Sequence, residues 1–350
     1  MNTNRTRRIV SLGASVVMCI ASQTVAAPHW GLQSTSGPSA RELHAMTYDS
    51  FREVVVLFGG QDGSNTLNDT WEWNGQSWTP RLTSGAGPHA GHSMAYDSTR
   101  HVTVLFGGAG LTSYLNETWE WDGNTWTQKF PGASPSARHG AGMAFDSTRN
   151  RILMFGGYQP GLTNDTWTWD GTSWSSVSTT TPPSARSWVG MAYDRVRDRT
   201  VLFGGSCNPV CQDPQNSDET WELDLSTSPA TWTQVSTTNK PPARHRGQLV
   251  YDSVHGKMLL FGGTLASNAN AGDTWALEGE PLDWALIAKP GSPMARDAHA
   301  MVYDVARQEA LMFGGGLGFG ASGCGSASLW VTRGRLASER RRYRRCRSGA

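Results

Sequence analysis

The chain has 350 residues, of which 17% are charged, with 40 Gly and 16 Trp; this length suits two ordinary domains or one large repetitive one, and the composition favours short strands and turns over helices. The formal charge of +1 hides an uneven distribution: residues 1–27 hold three Arg and no acid, residues 333–350 hold eight Arg and one Glu, and the body between carries 19 basic and 28 acidic side chains. An acidic body argues against wrapping nucleic acid, whose affinity comes from Lys and Arg meeting phosphates.

Residues 1–27 read as a signal peptide. Arg5, Arg7 and Arg8 form a positive n-region, Ile9–Ile20 an apolar h-region, and Val25-Ala26-Ala27 a small-residue cleavage site. That run is too short to span a bilayer, and no other apolar run approaches membrane length. The expectation is a secreted protein without a membrane span.

From residue 28 onward the chain repeats. Phe-Gly-Gly recurs at Phe58, Phe106, Phe155, Phe203, Phe261 and Phe313, at intervals of 48 to 58 residues. Nine or ten residues upstream stands an aromatic-Asp pair, such as Tyr48-Asp49 or Phe145-Asp146. Downstream, in the first five repeats, comes an acid-Thr-Trp step (Asp69-Thr70-Trp71 through Asp273-Thr274-Trp275) and then a further Trp, at Trp78, Trp126, Trp174, Trp232 and Trp284.

Each repeat divides into four strands. The first ends in the aromatic-Asp pair, and a short turn leads to an apolar second strand such as Val102–Phe106. After Gly-Gly and a variable loop, the third strand reads Thr-Trp-Glu-Trp in the first repeats. Asn74-Gly75, Asp122-Gly123 and Asp170-Gly171 supply the positive φ of a tight hairpin into the fourth. Four-stranded sheets repeated around an axis make an all-β, six-bladed propeller. The last repeat lacks a fourth strand, and the region after residue 28 supplies one. His29-Trp30-Gly31-Leu32 followed by Ser39-Ala40-Arg41 matches Trp126-Thr127-Gln128 followed by Ser136-Ala137-Arg138. The N-terminal strand is therefore expected to complete the last blade, leaving no open edge.

These motifs resemble the kelch repeats of the family that includes the central domain of galactose oxidase. The resemblance covers residues 28–331 and implies a kelch-type propeller, with residues 332–350 an Arg-rich tail.

Arg41, Arg138, Arg186, Arg244 and Arg296 share one register before the first strand, with His89 in the second repeat. They would either ring the channel mouth as a carboxylate receptor or pair with neighbouring acids of the acid-Thr-Trp step; pairing is the expected outcome. Trp188 stands where other repeats carry small or polar residues, a candidate for stacking on a sugar, with local packing the plainer reading. His44, His92 and His299 lie three residues beyond the Arg register; converging imidazoles would bind a metal, but repetition alone explains them, so no metal is expected. Cys207 and Cys211 are close enough for a disulfide in an oxidising compartment.

No nucleophile–base–orienter set stands out, and no cofactor is expected. Copper radical oxidases use a kelch propeller but need a Cys–Tyr cross-link and His ligands that find no counterpart here. The sialidase Asp-box, Ser-x-Asp-x-Gly-x-Thr-Trp, is absent, since Asp122-Gly123-Asn124-Thr125-Trp126 lacks the residue between Asp and Gly. The expected function is a non-catalytic binding module. Its loops between second and third strands, about 61–68, 109–116, 158–164, 206–218, 264–272 and 316–327, would recognise a protein or a glycan. The alternative is a carbohydrate-active propeller resembling sialic-acid epimerases, using the Arg ring. Oligomeric state is not legible.

Overall fold

The computed structural model describes residues 29–63, 65–81, 85–207, 216–287, 293–317 and 327–333. The predicted signal peptide, Cys211 and the chain beyond Arg333 lie outside these. Beside a separate two-stranded pairing of Arg244–His245 and Thr264–Leu265, six blade sheets surround an axis, five of four strands and one joined by a fifth, the two-residue strand Thr179–Thr180. Their innermost strands are Ala45–Asp49, Ser93–Asp97, Gly142–Asp146, Gly190–Asp194, Gln248–Asp252 and Ala300–Asp304, in blades 1 to 6, and each packs on the next until blade 6 meets blade 1. Blade 3 shows the plan, with Gly142–Asp146, Arg151–Gln159, Gly161–Trp169 and Trp174–Val177 running antiparallel from axis to rim.

The second strands are apolar and buried on both faces because each blade is covered on both sides. Successive side chains point to opposite faces. Val56 and Phe58 therefore join Met94, Leu105 and Trp121 of blade 2, while Val55 and Leu57 join Val302, Leu311 and Phe313 of blade 6. Six such cores lie between blades. The Trp of the fourth strand enters each, and in five seams its indole Nε1 donates to the Thr of the third strand one blade back, as Trp126 to Thr70 and Trp174 to Thr118, both at 2.9 Å; in the sixth, Leu329 replaces the Thr and the Trp78 Nε1 is buried without a partner. A large apolar body with one satisfied polar handle suits this buried seam.

Blade 6 is closed by His29–Ser34, which pairs antiparallel with Leu329–Arg333. Trp30 takes the fourth-strand role, donating to Thr274 of blade 5 at 3.0 Å and lying against Phe261. The last strand runs two residues past the expected boundary at 331.

Gly-Gly stitches neighbouring blades. At the seam between blades 6 and 1, Gly315 N–H donates to the Arg41 carbonyl at 2.9 Å, and a Cβ on Gly314 would lie 2.5 Å from that oxygen. With φ of +70° and +92°, both positions favour glycine twice over, by conformation and by space.

Two of the loops expected between second and third strands are ladders instead. In blades 1 and 3 the strands continue past Gly-Gly, after a register shift, as Val54–Gln61 with Thr66–Trp73 and Arg151–Gln159 with Gly161–Trp169. A bulge at the glycines lets pairing resume, which a simple strand-end reading of Gly-Gly misses.

Candidate functional site at the channel mouth

The register arginines are buried inside their own blades. Arg41, Arg138 and Arg244 meet both oxygens of Asp69, Asp165 and Asp273 at 2.6–2.9 Å, and Arg186 meets Glu219 at 2.6 Å. Each Nη1 also donates to the carbonyl of the first Gly of the Gly-Gly pair, and each Nε to the residue two positions back. Burial pushes the Asp69, Asp165 and Asp273 carboxyls up, but hydrogen bonds from their arginines outweigh it and hold them below the usual carboxylate range. These guanidiniums are about 1% exposed. A ring of five free guanidiniums is therefore not what the channel presents: four serve as staples between the first and third strands. Pairing runs within blades, not between them. Blade 2 keeps the acid but has His89, whose Nε2 lies 3.7 Å from Glu117.

His44, His92 and His299 do not converge. Each turns sideways into a seam, edge-on to the Phe of the preceding blade: His44 to Phe313, His92 to Phe58, His299 to Phe261. Each Cε1 sits over that blade's first glycine, where a Cβ would be 2.6–3.3 Å away. Burial lowers the His44 pKa to about 3 and holds His92 and His299 well below the usual value. Among the described residues no three His, Cys, Asp or Glu are grouped to hold a metal ion. The three imidazoles are neutral wedges.

A second ring of equivalent positions lies two residues beyond the arginines. Leu43, Gly91, Gly140, Trp188, Arg246 and Ala298 occupy equivalent positions, all with φ between +51° and +65°. Five hydrogen bonds chain them around the axis: Leu43 N to Ala298 O, Gly91 N to Leu43 O, Gly140 N to Gly91 O, Trp188 N to Gly140 O and Arg246 N to Trp188 O. Four positions are not glycine, and left-handed backbone costs such residues about 1 kcal/mol each. The annulus borders a central cavity of about 120 Å³.

Glycine at positions 91 and 140 makes room for one side chain. A Cβ on either would lie 2.7 Å from the Trp188 ring, so the indole lies across both. The Arg246 guanidinium stands 4.9 Å above it, a cation–π contact, and is held by Asp297 at 3.3 Å. His139 abuts Trp188 at 5.1 Å, and Tyr114 and Tyr158 continue the row at 4.7 and 5.4 Å from His139. Both tyrosines are more than a third exposed, and neighbouring Leu111 is 75% exposed. Across the mouth, Glu42 is bonded by Gln61, and Asp297 by Thr264 and Asn270. One side of the mouth is thus aromatic and the other carboxylate-rich.

Trp188 stands out in the sequence as the one aromatic at its repeat position. Its partners Tyr114, His139, Tyr158 and Arg246 do not, although the shared register with Trp188 is a signal for Arg246. Cys207 is fully buried, its Sγ 3.8 Å from the Gly205 carbonyl; its expected partner lies outside the described residues.

No helix among the described residues is long and apolar enough to cross a membrane. No curated protein matches the chain. A family model, the KLHDC2/KLHL20/DRC7 Kelch-repeats domain, matches it over residues 15–205 and 148–332. With that span and six four-stranded blades whose Gly-Gly pairs bond each to the next, the chain belongs to the kelch-repeat propeller family.

Proposed function

We propose that the protein is an exported, non-catalytic binding module that takes its partner, a protein or a glycan, on the face bearing the Gly-Gly loops. The observation that carries this reading is the aromatic row Tyr114–His139–Tyr158–Trp188 with Arg246 over its inner end. Exposed tyrosines supply contact area at little entropic cost, and an indole held in left-handed backbone is oriented before any partner arrives. Sugar rings and apolar peptide side chains both stack on such a row, while Glu42 and Asp297 opposite suit donor groups.

The test presents the protein to a glycan array and to a displayed peptide library, alongside Tyr114→Ala/Tyr158→Ala and Trp188→Gly variants. Hits on one platform that vanish in both variants support the face. Hits that survive both place recognition elsewhere and reject it. The disulfide expected of an exported protein is tested separately, by mass spectrometry of a non-reduced digest. A Cys207–Cys211 disulfide is expected, and free thiols at both positions in protein from an oxidising compartment would remove that part.

A further inference from the structure

The staple is incomplete in blade 6. Leu329 lies opposite Phe313 as Thr70 lies opposite Phe58, so Ser328 stands where Asp69 stands and Trp330 where Trp71 stands. Arg296 is 1% exposed and keeps two of its sisters' bonds, Nε to the Met294 carbonyl and Nη1 to the Gly314 carbonyl. Among the described residues it meets no carboxylate, and its Nη2 has no acceptor.

The second half of the vacancy is an indole. Wherever a blade carries the acid, that carboxylate also accepts from the Trp two residues on: Trp71, Trp119, Trp167 and Trp275 donate at 2.6–2.7 Å, Trp221 at 3.0 Å. In blade 6 the Trp330 Nε1 is buried without a partner. A guanidinium edge and an indole N–H, aimed in every complete blade at one carboxylate, are both left over here. Burial alone lowers the Arg296 pKa to about 10, so the cation persists at neutral pH. In the complete blades the acid's own side chain is 28–40% exposed, so the carboxylate position opens to solvent.

We propose that Arg296 Nη2 and Trp330 Nε1 form a binding site for a carboxylate that comes from a ligand, seated as Asp69 is seated between Arg41 and Trp71. A buried donor without an acceptor is costly, as at Trp330 Nε1, and one planar carboxylate satisfies it together with Arg296 Nη2, with the bidentate fit that guanidinium favours. The shared chemistry is a single carboxylate, from a free small acid or from an acidic side chain.

The test follows indole N–H resonances of the full-length protein by NMR, with Trp330 identified by its loss in Trp330→Phe. Sodium acetate and an end-capped Gly-Glu-Gly peptide are each titrated against sodium chloride of equal ionic strength. The expected result is a saturable shift of the Trp330 signal, with Trp71, already bonded to Asp69, unmoved. Tighter binding of acetate identifies a free acid as the source, and tighter binding of the peptide an acidic side chain. A Trp330 signal that neither moves overturns the proposal. Ser328→Asp supplies the acid within the blade. It is expected to raise the melting temperature, place the Trp330 signal near its acetate-saturated position and abolish the response. A variant whose acetate response persists overturns the proposal equally.

Discussion

The two ends of each blade use the same ions with different weight. At the mouth, Arg138 is 1% exposed and joins Asp165, the Gly156 carbonyl and Ser136. At the opposite end, the Asp of each aromatic-Asp pair caps its turn, and the side chain three residues on, an Arg in five blades and His255 in blade 5, folds back to it. Arg52, 25% exposed, joins Asp49 and Glu72, and Glu72 also receives Arg81 and Trp121. In four blades the mouth holds its strand pair with one cation that has no substitute; the far end shares its load among several donors. Ion-pair counts would rank the far end first, and the deeper burial of those mouth guanidiniums, each bound to carbonyls as well as an acid, reverses the order.

Replacing one Arg at each end tests that order directly. Arg138→Ala strips Asp165 of its cation and two carbonyls of their donor, and is expected to cost about 2 kcal/mol, below the loss for a fully buried pair because Asp165 is 35% exposed and keeps the Trp167 indole. Arg52→Ala leaves Glu72 with Arg81 and Trp121, and Asp49 with the backbone N–H groups of its turn, and is expected to cost less, about 1 kcal/mol. Denaturant melts of the two variants give the comparison. Equal losses would erase the distinction, and an Arg138→Ala melt that overlays the parent would show that the mouth arginines are free of structural duty.

Acid distinguishes the seam wedges from the staples. An unfolded imidazole takes up a proton near pH 6.5, whereas His44 in the fold waits until about pH 3 and His92 and His299 also wait until well below their usual value. Between those limits the unfolded chain binds more protons, so stability present above pH 6.5 is lost as pH falls, by up to about 1.4 kcal/mol per unit for each imidazole. The staple carboxylates, held below their usual range, add their own loss only under about pH 4. Melting temperatures should therefore begin to fall below pH 6.5. A curve flat from pH 7 to 4.5 would contradict the neutral wedges.

A smaller effect is expected at the annulus. Trp188→Gly loses packing on His139 and Arg246 but relieves left-handed strain of about 1 kcal/mol, so its net cost should fall below that of Arg138→Ala. A loss as large as that of Arg138→Ala would make Trp188 a structural residue first.

Repeat number, strand order and ring closure were legible in the sequence because they rest on local patterns. Phe-Gly-Gly marks the second strand of each repeat, Asn74-Gly75 marks a turn by its φ, and Trp30 with Arg41 repeats Trp126 with Arg138. Where side chains end up was decided by tertiary structure. His44, His92 and His299 share a register that suggests convergence, yet each is drawn into a different seam because its Cε1 fits over a glycine of another blade. The aromatic row joins Tyr114, His139, Tyr158 and Trp188 from three blades, far apart in sequence and adjacent only once the sheets stand side by side. The vacancy beside Arg296 shows the same division. A missing acid at Ser328 is visible in the sequence, but only the paired strands show that Arg296 and Trp330 are both left without it.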